Sequence, residues 1–249
     1  MSTVRRGRAL GRWLALIAVV AALAAAAAAA MTPRREQAPD TGSPLLPGPH
    51  LTASGPAGTG PASPVPLPMD VTWAAVAGVQ LPYSNSAGPR VTAADRATGF
   101  SRDLVGAVFA AMHLVVRTSP RVGPQVFGPT VREQVYGPDR QALADQIDAD
   151  YADARDRQQV PYGQPLEPAF AVMSGYRIDF FDGTSATVRL LLRLPGPHGD
   201  PAYVASTLQL SFLDGDWRLM APPRGDWATV RVEVPASAAA DYTSLPGRS

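Results

Sequence analysis

The 249-residue sequence contains no cysteine, and all 22 of its basic Lys or Arg residues are arginine. Without cysteine there is no disulfide framework, no thiolate metal site, no cysteine nucleophile and no lipid-modified cysteine. Without lysine there is no Schiff-base nucleophile. Gly-x-Ser-x-Gly, Ser-x-x-Lys and phosphate-loop motifs are absent as well. We therefore expect no enzyme activity and no cofactor.

Charge is distributed unevenly along the chain. Residues 1–69 carry six arginines against Glu36 and Asp40, which gives a net charge of +4, and residues 70–249 carry sixteen arginines against nineteen acids, which gives −3. Together they make the net +1 of the whole chain. A duplex-binding domain needs a basic face to neutralise phosphates. The acidic balance of residues 70–249 therefore argues against direct nucleic-acid binding.

One long apolar run lies near the N terminus. Four arginines, the last of them Arg12, precede the uncharged residues 13–31, and Arg34 and Arg35 follow them. The run matches the roughly 20 residues that span a bilayer, and the upstream arginines favour a cytoplasmic N terminus. A cleaved signal peptide is the alternative, although the run is longer than a usual signal h-region. We predict a cytoplasmic segment 1–12, a transmembrane helix at 13–31 and an extracytoplasmic body.

A segment rich in Pro, Gly, Ser and Thr separates this run from the body. Residues 32–69 cannot bury an apolar face, so they are predicted to form a disordered tether. The composition changes at residue 70, and we predict a single folded domain over residues 70–249.

The domain begins with a segment, residues 70–89, that we call the strap. Its glycines and prolines argue for an irregular path rather than a helix or a central strand. Large aromatic side chains are mostly buried, so Trp73 is expected to anchor the strap on the domain. The alternative is that the strap docks a partner protein. The residues assigned to it on that hypothesis are Trp73, Gly78, Leu81, Pro82, Ser86, Gly88 and Pro89.

Three helices are predicted next. Ser101 is a suitable N-cap for a helix that reaches about Thr118, and Gly and Ala fill its remaining face, which is typical of a helix covered on more than one side. A short helix is predicted from Pro129 to Tyr136. Asp139 caps a third helix, whose other faces are acidic and solvated. The apolar stripe of this third helix consists of Leu143, Ile147 and Tyr151.

Residues 170–220 alternate with period two and predict a meander of antiparallel strands with a single apolar face. Asp182-Gly183 is expected to form a tight primed turn, and Asp214-Gly215 a second turn. The predicted core face of the first hairpin consists of Phe170, Val172, Tyr176, Ile178, Phe180, Ala186, Val188, Leu190, Leu192 and Leu194.

The C-terminal part carries weaker signals. Residues 229–234 alternate briefly and predict an edge strand. Arg224-Gly225-Asp226 is too short to indicate adhesion, and we interpret it as a turn. Tyr242 and Leu245 are expected to pack back onto the body.

A sheet wrapped around a helix would form a pocket, for which the candidate residues are His113, Tyr176 and Trp217. A buried acid and a tyrosine could move protons there. A lone histidine on an apolar helix is more often a hydrogen-bonded core residue than a base. Asp179 is expected to face solvent, and no histidine pair suggests a metal site. We assign no catalytic, metal-binding or cofactor-binding residue.

The order of elements, helices first and then a meander closing on Gly215-Asp216-Trp217-Arg218-Leu219, resembles the nuclear transport factor-like α+β cone. This resemblance implies about three helices packed on a curved antiparallel sheet, with Trp217 closing the cone. Further motifs resemble uncharacterised single-span proteins of actinobacterial integrative and conjugative elements, over about residues 70–249. These motifs are Trp73-x-x-Val76-x-Gly78-Val79-x-Leu81-Pro82, Ser86-Ala87-Gly88-Pro89, Gly99-Phe100, Gly225-Asp226-Trp227 and Tyr242-x-x-x-Pro246-Gly247.

Those single-span proteins are similar in turn to the inner-membrane assembly factors of type IV secretion systems. The resemblance implies a membrane-anchored, non-enzymatic scaffold module of a conjugative DNA-transfer apparatus. Its implied partners are the membrane and other extracytoplasmic proteins, and self-association is left open. Two alternatives remain: a small-molecule-binding or isomerase/dehydratase-like enzyme in the same fold, and an accessory subunit of an actinobacterial lipid-uptake complex.

Overall fold

The computed structural model describes residues 66–168, 171–196 and 199–246, which fold as an α+β domain. The helices are α1 (Leu104–Arg117), α2 (Pro124–Gln134) and α3 (Arg140–Gln158). The strands are β1 (Thr72–Val76), β2 (Val79–Tyr83), β3 (Val135–Tyr136), β4 (Val172–Phe181), β5 (Ser185–Pro195), β6 (Pro201–Leu213), β7 (Asp216–Met220), β8 (Arg231–Val234) and β9 (Thr243–Ser244).

Several predictions concern residues outside the described ranges. They are the cytoplasmic segment, the transmembrane helix, the tether up to residue 65, and Phe170. Within the described ranges, no helix combines the length and the apolar character needed to cross a membrane.

The main sheet has the strand order β3-β7-β6-β5-β4-β9, and β8 pairs with the first half of β6. The described pairings are antiparallel apart from that of β3 with β7. Asp214 (φ 50°) and Gly215 (φ 84°) turn β6 into β7 with the two positive φ angles of a primed turn. The predicted meander and its last turn are thereby confirmed.

Two irregularities in β4 change which side chains face the core. The register against β5 shifts at Ser174 and again at Asp179. Each extra residue reverses the alternation of faces. As a result Met173 is buried, Phe180 is 52% exposed and Phe181 packs against the core. The prediction that Phe180 faces the core is therefore wrong.

The turn between β4 and β5 differs from the predicted primed pair. Gly183 has a φ of 86°, whereas Asp182 keeps a negative φ. Asp182 Oδ1 accepts hydrogen bonds from the backbone N–H groups of Thr184 (2.8 Å) and Ser185 (2.7 Å). These bonds, with that from Thr184 foremost, lower the pKa of the Asp182 carboxyl group. The side chain stabilises the turn in place of a second left-handed residue.

Helix α1 forms where the sequence predicts it, but its cap is Asp103 rather than Ser101. The Asp103 carboxylate accepts the Gly106 N–H at 2.8 Å, and Ser101 donates its hydroxyl to the same carboxylate. Of the fourteen residues of α1, eleven are buried. The helix is therefore enclosed on more than one side, as predicted.

Helix α2 begins five residues earlier than predicted. Pro124 lies in its first turn, where a missing N–H removes no intrahelical bond. Pro129 lies inside the helix, where it removes one. The helix ends at Gln134, and the next two residues form β3 beside β7. The predicted helix from Pro129 to Tyr136 is wrong at both ends, because an interior proline has the same local signature as a helix start.

Helix α3 confirms its predicted stripe, since its buried residues are Leu143, Ile147 and Tyr151. The backbone of the Arg224-Gly225-Asp226 turn lies directly against this helix. Gly225 has a φ of 73°, and a Cβ there would stand 2.3 Å from the backbone nitrogen of Leu143. Only glycine fits so close an approach. This tripeptide is a turn, as predicted, and its glycine has a packing role.

The C-terminal tail completes the sheet. Tyr242 and Leu245 are 8% and 5% exposed, so their predicted return to the body is confirmed. Tyr242 forms a small cluster with Leu191 and Ala205 on the opposite side of the sheet from the main core. The prediction of a single apolar face is therefore wrong for this part of the sheet.

The strap is more regular than predicted. Its first half is a two-stranded hairpin, β1 and β2, joined by Ala77 (φ 48°) and Gly78 (φ 84°). The sequence did not predict this turn, because Asn or Asp usually precedes glycine in a primed turn and Ala77 stands there instead. Trp73 is half-buried and packs against the core, while Leu81 is fully buried. The hairpin is a separate sheet beside the main one.

Candidate functional site

Asp216 and Trp217 hold the segment before α1 in place, at a contact that we call the motif junction (Gly88, Gly99, Phe100, Asp216 and Trp217). The Asp216 carboxylate accepts the backbone N–H groups of Gly99 (2.8 Å) and Phe100 (3.1 Å). The Trp217 indole Nε1–H donates to the carbonyl oxygen of Ser101 at 2.9 Å. Two sequence motifs far apart in the chain therefore meet just before α1, the helix with the most buried residues.

The end of the strap docks onto the same segment. Gly88 has a φ of 99°, and a Cβ there would lie 2.8 Å from both Gly99 O and Phe100 Cα. Ser101 N–H donates to Ala87 O at 3.1 Å. Gly88 and the neighbouring Pro89 are buried. The glycine is needed here for close backbone packing, so this part of the strap is a fixed structural contact.

A serine and aspartate cluster fixes the strap from the other side. Ser84 and Ser86 donate their hydroxyls to Asp70 Oδ1 at 2.8 and 3.0 Å, and Ser86 N–H donates to Asp70 Oδ2 at 3.1 Å. These bonds, chiefly that of the Ser84 hydroxyl, lower the pKa of the Asp70 carboxyl group. Ser86 remains exposed. The cluster connects Asp70, two residues before β1, to the turn after β2.

His113 is a core residue that links α1 to the strap. Its Nε2 lies 2.7 Å from Pro82 O, and its Nδ1 lies 2.8 Å from an Arg117 guanidinium nitrogen. Since a carbonyl only accepts, Nε2 carries the proton and Nδ1 accepts from Arg117. Burial, together with the neighbouring Arg117 charge, lowers the pKa of His113 to about 3. The imidazole is therefore neutral at physiological pH.

Arg117 extends this link to a third segment. Its Nε donates to Asp95 O at 3.0 Å, and the residue is only 4% exposed. The chain of bonds thus runs from the strap through His113 and Arg117 to the turn before the motif junction. Hydrogen bonds to neutral backbone oxygens satisfy polar groups without creating a reactive pair. The sequence offered no signal for this role of Arg117 beyond its i+4 spacing from His113.

The three candidate pocket residues are buried among different neighbours. His113, Tyr176 and Trp217 are 0%, 2% and 0% exposed. The rings beside Trp217 are Phe181 and Phe212, whereas those beside His113 are Tyr83 and Phe100. Burial raises the pKa of the Tyr176 hydroxyl.

Open clefts lie elsewhere on the domain. One of about 470 Å³ borders the motif junction and includes Arg96, Gln134 and Arg218 in its lining. Another of about 400 Å³ lies where β6 runs between its pairings with β7 and β8, with Trp227 in its wall. Gln134 Oε1 and Trp227 Nε1 are buried without a hydrogen-bond partner. Trp227 belongs to the Gly225-Asp226-Trp227 motif, but that motif assigns it no role, and Gln134 carries no local sequence signal.

Metal coordination finds no support in the described ranges. No group of three or more His, Cys, Asp or Glu residues there could hold a metal ion. The aspartates of α3, among them Asp145 and Asp148, are exposed around the helix. Ligands for a hard cation must converge on one point, which these side chains do not do.

The fold and these contacts define an α+β domain that carries a hairpin strap bonded to its buried helix. The chain belongs to a family described as Domain of unknown function (DUF8175), whose model matches residues 35–244. This match includes the strap, the motif junction and every described helix. No curated protein and no solved structure matches the chain.

Proposed function

We propose that this chain is a membrane-anchored, non-enzymatic interaction module and an accessory component of a conjugative DNA-transfer apparatus. In this proposal residues 1–12 are cytoplasmic, 13–31 span the membrane, 32–69 form the tether and 70–249 are extracytoplasmic. The resemblance of the strap and junction motifs to proteins of conjugative elements supports the assignment to DNA transfer.

The observation that carries the proposal is a contrast in solvent exposure. The candidate proton-transferring residues, His113 and Tyr176, are buried, whereas part of the strap is exposed. Both ring nitrogens of His113 are bonded to protein groups, and Tyr176 is buried. A proton-transferring enzyme needs such groups within reach of its substrate. Gly78 and Ser86 of the strap are exposed instead. An accessible surface suits protein contacts better than catalysis.

The strap is also held rigidly, which favours binding. Asp70 bonds one end of it, His113 bonds Pro82 in its middle, and Gly88 packs on the segment before α1. A preorganised surface loses little conformational entropy when a partner docks. This anchoring supports the hypothesis that the strap is a docking element rather than a loose spacer.

The finer fold assignment, a nuclear transport factor-like cone, is part of the proposal. Its support is that α1 packs against β7 and β5 of the meander, and that the buried Trp217 lies where the last hairpin meets the segment before α1. Helices on one face of a long antiparallel meander are the arrangement expected of that cone.

The proposal is tested by gene deletion and by crosslinking in intact donor cells. Deletion is expected to lower conjugation frequency, and full-length protein is expected to restore it. Crosslinking from intact membranes is expected to recover a protein of the transfer apparatus. If conjugation frequency is unchanged by the deletion and no transfer protein is recovered, the proposal fails.

A pair of charge variants assigns the role to the strap. Gln80 on β2 and Ala152 on α3 are both exposed, so arginine at either position should leave the fold intact. Gln80→Arg is expected to weaken crosslinking and transfer, whereas Ala152→Arg is the matched control and should leave both unchanged. Equal behaviour of the two variants would show that the strap is not the docking element.

A further inference from the structure

We infer that the open edge of β1 is a docking site for a second copy of this chain, which pairs with it strand to strand in antiparallel orientation. This inference goes beyond the proposed function, because a scaffold role does not say how two chains would meet. It is carried by the backbone geometry of the hairpin and by the contrast between β1 and the other strand edges.

The position of Pro82 on β2 determines which backbone groups of β1 have no hydrogen-bond partner in the hairpin. Trp73 lies opposite Pro82, which has no N–H, so this pair is not hydrogen-bonded. Bonded and non-bonded pairs alternate in an antiparallel ladder, so Ala75 also occupies a non-bonded position. The N–H and C=O groups of Trp73 and Ala75 therefore face away from β2. No described strand pairs with that edge.

The other edges of the described sheets are protected. On β2, the carbonyl of Pro82 is taken by His113. On β8, Arg231 and Glu233 place charges along the strand. The outer part of β4 has a bulge at Asp179, and β3 and β9 contain two residues each. Charges, prolines, bulges and short length are the devices that prevent edge-to-edge pairing.

Strand β1 has none of these devices. Its sequence Thr-Trp-Ala-Ala-Val contains no charge, no proline and no glycine, and it pairs with β2 without a bulge. Thr72, Ala74 and Ala75 are exposed. An exposed edge of this composition is a template for an added strand.

A second copy fits this edge without electrostatic conflict. Asp70 is the one charged residue between positions 66 and 83. In an antiparallel pair centred on Ala74, Trp73 faces Ala75 of the second copy, so the free groups of both strands are bonded. The paired residues 72–76 carry no charge and Asp70 lies outside them, so like charges do not meet.

The pair would be limited to residues 72–76, because the chain turns at residues 69–70 before β1 and at Ala77-Gly78 after it. The paired strands would make about four backbone hydrogen bonds, which is a small interface and a weak one in dilute solution. Confinement of both copies in one membrane would raise their effective concentration.

The absence of native cysteine makes disulfide trapping in membranes the decisive experiment. In the centred register the two Ala74 Cα atoms form a non-bonded pair about 4.5 Å apart, which a disulfide can bridge. The two Ala75 Cα atoms would be about 8–9 Å apart, which is too far. Under mild oxidation, full-length Ala74→Cys is expected to shift to twice the monomer mass, whereas full-length Ala75→Cys stays monomeric.

A mixed pair checks the register independently. Thr72 faces Val76 of the second copy, so membranes that contain both Thr72→Cys and Val76→Cys chains are expected to give a mixed dimer, while either variant alone gives none. If Ala74→Cys stays monomeric, as it would if the edge accepts a different protein, the inference is overturned. Equal crosslinking of Ala74→Cys and Ala75→Cys indicates random collision and overturns it too.

Failure of this inference and failure of the proposed function are distinguishable. If Ala74→Cys stays monomeric but deletion of the gene still lowers conjugation frequency, only the self-pairing is refuted. If the dimer is trapped but deletion leaves conjugation frequency unchanged, only the role in DNA transfer is refuted.

Discussion

Replacement of Trp217 by alanine is expected to destabilise the domain more than replacement of an exposed aromatic residue by alanine. The indole is fully buried, its ring centroid lies 5.3 Å from that of Phe212 and 6.0 Å from that of Phe181, and its Nε1–H donates to Ser101 O. Truncation of a buried tryptophan costs about 3–5 kcal/mol. For a domain of this size, that loss lowers the melting temperature by roughly 6–20 °C.

The two contributions to this loss are separable. Trp217→Phe keeps most of the ring packing but leaves Ser101 O without its donor, so it is expected to cost about 1–2 kcal/mol. Tyr162 is 73% exposed, and Tyr162→Ala is the control, expected to change stability by less than about 0.5 kcal/mol. Circular dichroism melts of the full-length proteins measure all three. If Trp217→Ala melts no lower than the control, Trp217 does not close the core.

Three further predictions concern packing, pH and topology. Gly225→Ala is expected to lower the melting temperature well below that of Gly183→Ala, because both have positive φ but only Gly225 would place its Cβ against the backbone of α3; similar melting temperatures would contradict this. Because the pKa of His113 is about 3 in the folded chain and near 6.5 when unfolded, the unfolded state takes up the proton first, so stability is full above pH 6.5 and falls as the pH drops. Urea titrations from pH 7 to 5 are expected to show a loss that approaches about 1 kcal/mol per pH unit, and His113→Gln, although less stable at pH 7, should flatten this slope; an unchanged slope would refute the assignment. In intact cells a membrane-impermeant maleimide is expected to label full-length Tyr162→Cys, since that side chain is exposed, and protection until the cells are lysed would refute the extracytoplasmic placement.

Elements with strong local signals were predictable from the sequence. The stripe Leu143, Ile147 and Tyr151 repeats at helical spacing, and the structure buries those three residues of α3. Asp214-Gly215 is a strong turn signal between alternating runs, and it adopts the primed geometry. In these cases the local preference and the tertiary packing favour the same conformation.

Other features depend on contacts that no local pattern encodes. The register of β4 against β5 shifts twice, and alternation alone does not encode these shifts, so it could not predict the exposure of Phe180. The link from His113 through Arg117 was partly foreseen, since a lone core histidine was expected to be hydrogen-bonded. Its partners, Pro82 O and Arg117, come from tertiary geometry.

The junction between Asp216 and Gly99 also has a consequence for the order in which the chain is completed. Gly99 and its acceptor Asp216 are 117 positions apart, and the C-terminal strand β9 pairs with β4 about 70 positions before it. Contacts of such long range form late, after the cost of closing large loops has been met. During synthesis, the strap can contact the segment before α1 early, but the bonds from Asp216 and Trp217 cannot form until residue 217 has emerged. The edge of β4 that pairs with β9 stays open until residue 244. A copy truncated before Asp216 therefore lacks the groups that fix this segment to β7.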